Sequence, residues 1–193
     1  MGNGSEGISN NTIRRRINRK RRNRKNRNNF IFEWVIPIIL VAIIAFSINK
    51  FILIKVEIPS ESMVPTLNVE DQLYATKIYN KDNIKRGDIL VFYSEELGEL
   101  LIKRCIGIPG DDIVIDDGKV IVNGEEIQED YVKNQSHNYG EYHVPEGKYF
   151  FLGDNRAVSK DSSKWINPYI DGDDIKAKAQ LKVYPIKDFG LIK

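Results

Sequence analysis

The chain has 193 residues, 41% of them apolar, and its 29 Lys plus Arg nearly balance its 27 Asp plus Glu for a formal net charge of +2. That balance hides a split: residues 1–55 carry a net +10 and the remainder a net −8, which marks two regions with different surroundings. One cysteine, Cys105, excludes an intramolecular disulfide framework and any zinc site built from several thiolates, and two histidines, His137 and His143, argue against a multi-histidine metal site.

Residues 1–29 have almost no apolar side chains and no periodicity, the composition of a disordered segment. Ten basic residues lie between Arg14 and Arg27, interleaved with asparagine. Such a run suits a nucleic-acid arm, because phosphate neutralisation needs only clustered charge. The following segment points elsewhere. Phe30 to Ile48 is 19 residues with a single charge, Glu33. At about 1.5 Å rise per residue, a helix of that length approaches the hydrocarbon thickness of a bilayer. Pro37 falls near its start, where a missing N–H costs least. A basic block before an apolar span predicts a cytoplasmic tail (1–29), a transmembrane anchor (30–54) and a folded domain (55–193) on the extracytoplasmic side. Apolar residues resume at Phe51-Ile52-Leu53-Ile54, as if the span ran on to residue 54. A cleaved signal peptide is the competing reading, since Ala45-Phe46-Ser47 places small residues three apart after an apolar stretch.

Beyond Lys55 the pattern changes to short alternating runs bounded by turn residues. Ile58 to Leu67 holds Ser60 and Ser62 between Pro59 and Pro65. Proline stiffens such a segment, and in an extended chain the two serines project in one direction. A linker leaving the bilayer would account for the same residues. Ile89 to Tyr93 and Leu100 to Ile108 read as strands. Ile113–Ile115, Asp117-Gly118, Val120–Val122 and Asn123-Gly124 read as a meander of tight hairpins, because Asp-Gly and Asn-Gly supply the positive φ of two-residue turns. Tyr149–Leu152 and Ala179–Tyr184 are further strands, whereas residues 95–99, 133–143 and 156–174 read as loops. The expectation is a mainly β domain with a small meander lobe near residues 111–148.

Within the strand Leu100–Ile108, Lys103 and Arg104 are consecutive cations among apolar neighbours. An arginine there can pair with a carboxylate, and a desolvated lysine can lose its proton and act as a general base. Either side chain could instead reach water from an edge strand. The turn from Gly153 to Ser163 is dense in hydrogen-bonding groups; Asp161 has Arg104 or Lys160 as possible partners, and Ser159 could orient a nearby amine. A Ser62–His143–Asp154 triad is the alternative, but both histidines lie in a loop without supporting context. A serine–lysine pair built from Ser62 and Lys103 fits the surroundings better.

Taken together, four blocks resemble the type I signal peptidases, membrane-bound bacterial serine proteases, and in particular the compact Gram-positive members. They are Ile58 to Leu67, Gly87 to Phe92, Ile102 to Asp111 and Gly153 to Ser162, in that order behind one span. The resemblance implies an extracytoplasmic β domain of signal-peptidase type behind one N-terminal transmembrane helix. It implies cleavage of secretory preproteins after small residues at Ala-X-Ala sites, with no cofactor, no metal and no nucleic-acid partner. By position, Ser62 matches the nucleophile and Lys103 the general base. Ser60 and the Ser62 N–H match the oxyanion donors, and Ser159 matches the serine that orients the lysine. Asp161 matches a structural acid, with Arg104 as its partner on charge alone. Ile58, Pro59, Met63, Leu67, Leu101 and Ile102 match the substrate-binding positions. The family usually shows Asp-Ser-Arg where this chain has Asp161-Ser162-Ser163, so Lys160 or Lys164 would have to replace the arginine charge. A membrane-anchored binding module and a self-processing serine–lysine protease are the other readings.

Overall fold

The computed structural model describes residues 31–192, so the expected basic tail 1–29 lies outside the described residues. The chain divides after Lys50 into a helical unit and a β unit. A π-helical turn, Ile31–Val35, runs into helix α1, Ile36–Phe51. Phe32–Phe51 forms 20 helical residues of mean hydropathy 2.1, none of them buried by protein, long and apolar enough to cross a membrane.

From Phe51 onward the chain is mainly β, as its alternating runs require. Its strands are β1 (Leu53–Glu57), β2 (Gln72–Lys77), β3 (Ile89–Ser94), β4 (Glu99–Gly107), β5 (Asp112–Asp116), β6 (Lys119–Val122), β7 (Glu125–Glu126), β8 (Gly140–His143), β9 (Lys148–Leu152), β10 (Tyr169–Asp171), β11 (Ile175–Tyr184) and β12 (Gly190–Leu191). The larger sheet has the order β1-β2-β11-β3-β4-β9-β10, with β12 added to β11, and the smaller has β7-β6-β5-β8. All pairings in both sheets are antiparallel.

The larger sheet is buried on both faces at its centre. On β3, Ile89 and Val91 face one core cluster with Leu73, Ala75 and Ala177, while Leu90 and Phe92 face another with Phe151 and Trp165. Strand β9 sends Phe151 to that second cluster and Phe150 and Leu152 to a third, shared with Ile113 and Val120 of the small sheet. Two-sided burial explains why these strands read as nearly continuous apolar runs. The small sheet closes with the expected turns: φ is +45° and +88° at Asp117 and Gly118, and +53° and +85° at Asn123 and Gly124.

Three local expectations differ. The run to Ile54 does not prolong the helix; Leu53–Glu57 instead pairs with Gln72–Lys77, where alternating β-branched residues and a free ladder favour a strand. The segments 133–143 and 156–174 contain β8 and β10, short strands whose polar residues carry no apolar alternation. Ser62 sits in a 3₁₀ turn, Glu61–Met63, after an extended Ser60, rather than in an extended run.

Candidate active site

The turn carrying Ser62 is fixed from beneath. Met63 and Leu67 are fully buried and Ile58 nearly so, and the Leu67 N–H donates to Met63 O at 2.9 Å. Ser62 is thereby presented at the surface of the core with its hydroxyl 3.3 Å from Ser60 Oγ. Strand β4 brings Lys103 to it: Nζ lies 2.7 Å from Ser62 Oγ and donates to Ile102 O at 3.2 Å. Lys103 is 3% exposed. Burial lowers its pKa to about 8, although Asp161, Glu99 and Asp154 pull the other way.

Arg104 turns to a different partner from the one expected. It makes a bidentate pair with Asp154, from Nε at 2.9 Å and Nη2 at 2.7 Å, and Asp154 also accepts from Thr66 Oγ1 at 2.6 Å. Burial opposes the charge of Arg104, but the hydrogen bond and charge of Asp154 outweigh it and raise its pKa. Asp161 is out of this pair. Its carboxylate accepts from the Gly153 N–H at 3.0 Å and from Ser163 Oγ at 2.7 Å and N–H at 3.3 Å. Ser163, where the resemblance led us to expect an arginine, thus satisfies the acid by hydrogen bonds instead of charge. Lys164 donates to the carbonyls of Arg156, Ala157 and Ser159, and Lys160 is exposed, so neither pairs with Asp161 in its place.

Ser159 is fully buried, but its Oγ has no hydrogen-bond partner. Its neighbour is Gly153, where an added Cβ would come within 2.3 Å of Ser159 Oγ and 2.5 Å of Ser62 O. Only glycine fits between them, since backbone cannot yield as a flexible side-chain end can.

Of the expected substrate-binding residues, Pro59, Leu101 and Ile102 line a groove of about 380 Å³ beside Ser60 and Lys103. Ile58, Met63 and Leu67 do not; their side chains are sealed in the core and support the turn instead. The missing wall is β1, which supplies Ile54, Lys55, Val56 and Glu57. Sequence reading overlooked this wall because it assigned Ile54 to the membrane span. A second hollow of about 350 Å³ continues from Ser62 and Lys103 past Leu97, Glu99, Val158 and Lys160.

A Ser62–His143–Asp154 triad is not assembled. His143 Nδ1 meets Asp112 at 2.6 Å on an exposed surface, and Asp154 is committed to Arg104. No group of three or more His, Cys, Asp or Glu residues able to hold a metal occurs among the described residues. The arrangement can do acyl-transfer chemistry: a hydroxyl within hydrogen-bond reach of a desolvated amine, a second hydroxyl beside it, and an apolar groove on one flank.

The model of the family described as signal peptidase, peptidase S26, matches residues 31–184. Signal peptidase I of Leptolyngbya laminosa is 36% identical over 168 residues, covering 82% of this chain and 82% of that protein. Signal peptidase IB of Staphylococcus aureus (strain COL) is 32% identical over 179 residues, covering 82% of this chain and 92% of that protein. The crystal structure of a signal peptidase I from Enterococcus faecalis V583 aligns with a TM-score of 0.44 at 29% identity, covering 50% of this chain and 96% of that one.

Proposed function

The chain belongs to the signal peptidases of the peptidase S26 family and is a serine endopeptidase; we propose that it removes signal peptides from secretory preproteins with Ser62 as nucleophile and Lys103 as general base. The observation that carries this reading is the 2.7 Å approach of Lys103 Nζ to Ser62 Oγ in a buried setting. Neutral Lys103 takes the Ser62 proton as Oγ attacks the scissile carbonyl. The resulting lysinium returns a proton to the departing amine, leaving an acyl-enzyme. Lys103, neutral again, activates a water that releases the acyl group.

The oxyanion is received by Ser60 Oγ and the Ser62 N–H, and loss of one such donor costs about 10²–10³ in rate. The substrate lies extended in the groove, because β1 is an edge strand and β9 covers β4 only along Arg104–Gly107, leaving Glu99–Lys103 outside that ladder. Two free edges facing one groove suit an added peptide strand. Pro59, Leu101 and Ile102 limit the space available to side chains there, which favours small residues one and three positions before the cut. Helix α1 anchors the enzyme in the membrane, with the basic tail in the cytoplasm and the β unit outside. Anchoring raises the effective concentration of a substrate whose own apolar segment sits in the same bilayer.

The test is cleavage of a preprotein with an Ala-X-Ala site, in detergent and phospholipid, by the unaltered enzyme beside Ser62→Ala and Lys103→Met. Cleavage at that site by the unaltered enzyme alone is the expected result. The rate should also climb with pH to a plateau above about 8, since roughly a tenth of Lys103 is neutral at pH 7. Cleavage by either variant would overturn the assignment of that residue.

A further inference from the structure

The loop Gly153–Ala157 touches the carriers of both Ser62 and Lys103. The Asn155 N–H donates to Ser62 O at 3.0 Å and Asn155 Nδ2 to Glu61 O at 3.1 Å, so the serine turn hangs on this loop. Asp154 holds Arg104, the residue next to Lys103 on β4. The loop is in turn held from outside by residues 129–134, the strap between β7 and β8. Lys133 N–H donates to Asp154 O at 2.9 Å, Arg156 N–H to Lys133 O at 3.2 Å and Ala157 N–H to Asn134 O at 2.8 Å. Asn134 Nδ2 adds a bond to Asn155 Oδ1 at 3.0 Å.

Side chains complete the clasp. The Tyr131 ring lies over the Arg104 guanidinium at 3.8 Å from its centroid, and its hydroxyl donates to Glu129 Oε1 at 2.8 Å. The same Glu129 oxygen receives Arg156 Nη2 at 2.5 Å, and Arg156 Nε donates to Gly153 O at 3.0 Å. The Arg156 and Glu129 side chains are both at least nine-tenths buried, so this pair is little weakened by solvent.

We propose that the strap 129–134 is a positioning element for the serine–lysine pair, with Tyr131 as its principal positioning residue. The inference rests on Ser62 and Lys103 being that pair. The strap presses the loop onto the turn of Ser62 and onto the Arg104 end of β4, and thereby fixes the separation of Oγ from Nζ. No strap residue lines the substrate groove. A loosened strap therefore weakens the chemical step and leaves substrate binding intact, because reactivity falls steeply with small misplacements of reacting groups. It also admits water to Lys103. The groups facing that amine are Ser62, Asp161, Glu99 and Asp154; burial is what holds its pKa down against the three acids. Hydration moves the pKa up.

The experiment uses the full chain in detergent and phospholipid with a soluble Ala-X-Ala peptide. Tyr131→Leu is expected to lower kcat about tenfold or more, with KM changed less than about twofold and the acid limb of the kcat profile moved to higher pH. Tyr131→Phe keeps the ring over Arg104 and should lose less than about threefold. Asn134→Gly suits the φ of +49° at that position and removes one side-chain bond; it should show the same signature at smaller size and guards against misfolding of the leucine variant. Ser62→Ala is assayed in parallel. Unchanged kcat in Tyr131→Leu and Asn134→Gly beside an inactive Ser62→Ala would overturn the strap inference alone. So would a lower kcat with an unmoved acid limb and a lowered melting temperature, the mark of a purely structural part. Activity in Ser62→Ala would overturn the assignment of the pair, and the strap inference with it.

Discussion

In the proposed mechanism Lys103 couples reactivity to stability. Its amine is buried beside Ser62 and its pKa falls from 10.5 to about 8 in the folded state. Between those values the unfolded chain binds a proton that the folded chain does not. Stability therefore rises with pH across that window, and below about 8 the full penalty of burying a charged lysine is present. The shift corresponds to about 3 kcal/mol. Lys103→Met removes it, so that variant should be more stable than the parent at pH 6–7 by up to about 3 kcal/mol, and the advantage should shrink as pH approaches 10.5. Chemical denaturation at a series of pH values measures this, and a variant less stable than the parent at pH 7 would refute it. Asp161 is satisfied without a charge partner: Ser163 gives its carboxylate two hydrogen-bond donors.

Strand β4 must satisfy two adjacent cations although its central part is buried on both faces. It does so by two unlike devices: Lys103 can shed its proton, and Arg104 is held by Asp154. Removing one partner of a buried pair strands the other, which costs about 3–5 kcal/mol. Asp154→Ala should lower the unfolding free energy by that amount, read from the denaturation midpoint, and a loss below about 1 kcal/mol would show that Arg104 finds other acceptors. The cations of β4 were legible in the sequence as an anomaly needing an explanation, and so were the hairpin turns, because Asp-Gly and Asn-Gly state their φ outright. The partner of Arg104 was not legible, since charge alone does not distinguish Asp154 from Asp161, seven residues apart in one turn. Strand β1 was hidden for another reason: its apolar residues follow those of the helix without a break, and the ladder to β2 that makes it a strand lies at Gln72–Lys77. The strap was invisible because its hold on the loop is largely backbone hydrogen bonding, which leaves no side-chain signature. Ile58, Met63 and Leu67 were expected at the groove, yet a side chain's direction at a tight turn depends on dihedral angles that residue type does not announce.

At the scale of the whole molecule the decisive feature is the distribution of charge about the apolar helix. Ten basic residues lie between Arg14 and Arg27, within about 20 residues of the start of the span at Phe32, while only Lys50 and Lys55 lie close to its far end. Orientation follows the bias in Lys and Arg across a span, and acidic residues count for little, so the net −8 of residues 56–193 does not offset it. In the proposed topology that bias is what puts the β unit on the side of exported substrates. Replacing the ten basic residues by glutamine leaves two cations on the opposite flank and reverses the sign of the difference. The replaced chain should insert in mixed or inverted orientation. Protease added to intact spheroplasts should digest the β unit of the parent, whereas a large fraction of the variant's β unit should be protected, with processing of exported preproteins falling in proportion. Unaltered protease sensitivity in the variant would show that the orientation is set by the folded β unit or the helix itself, and that the basic run serves another purpose.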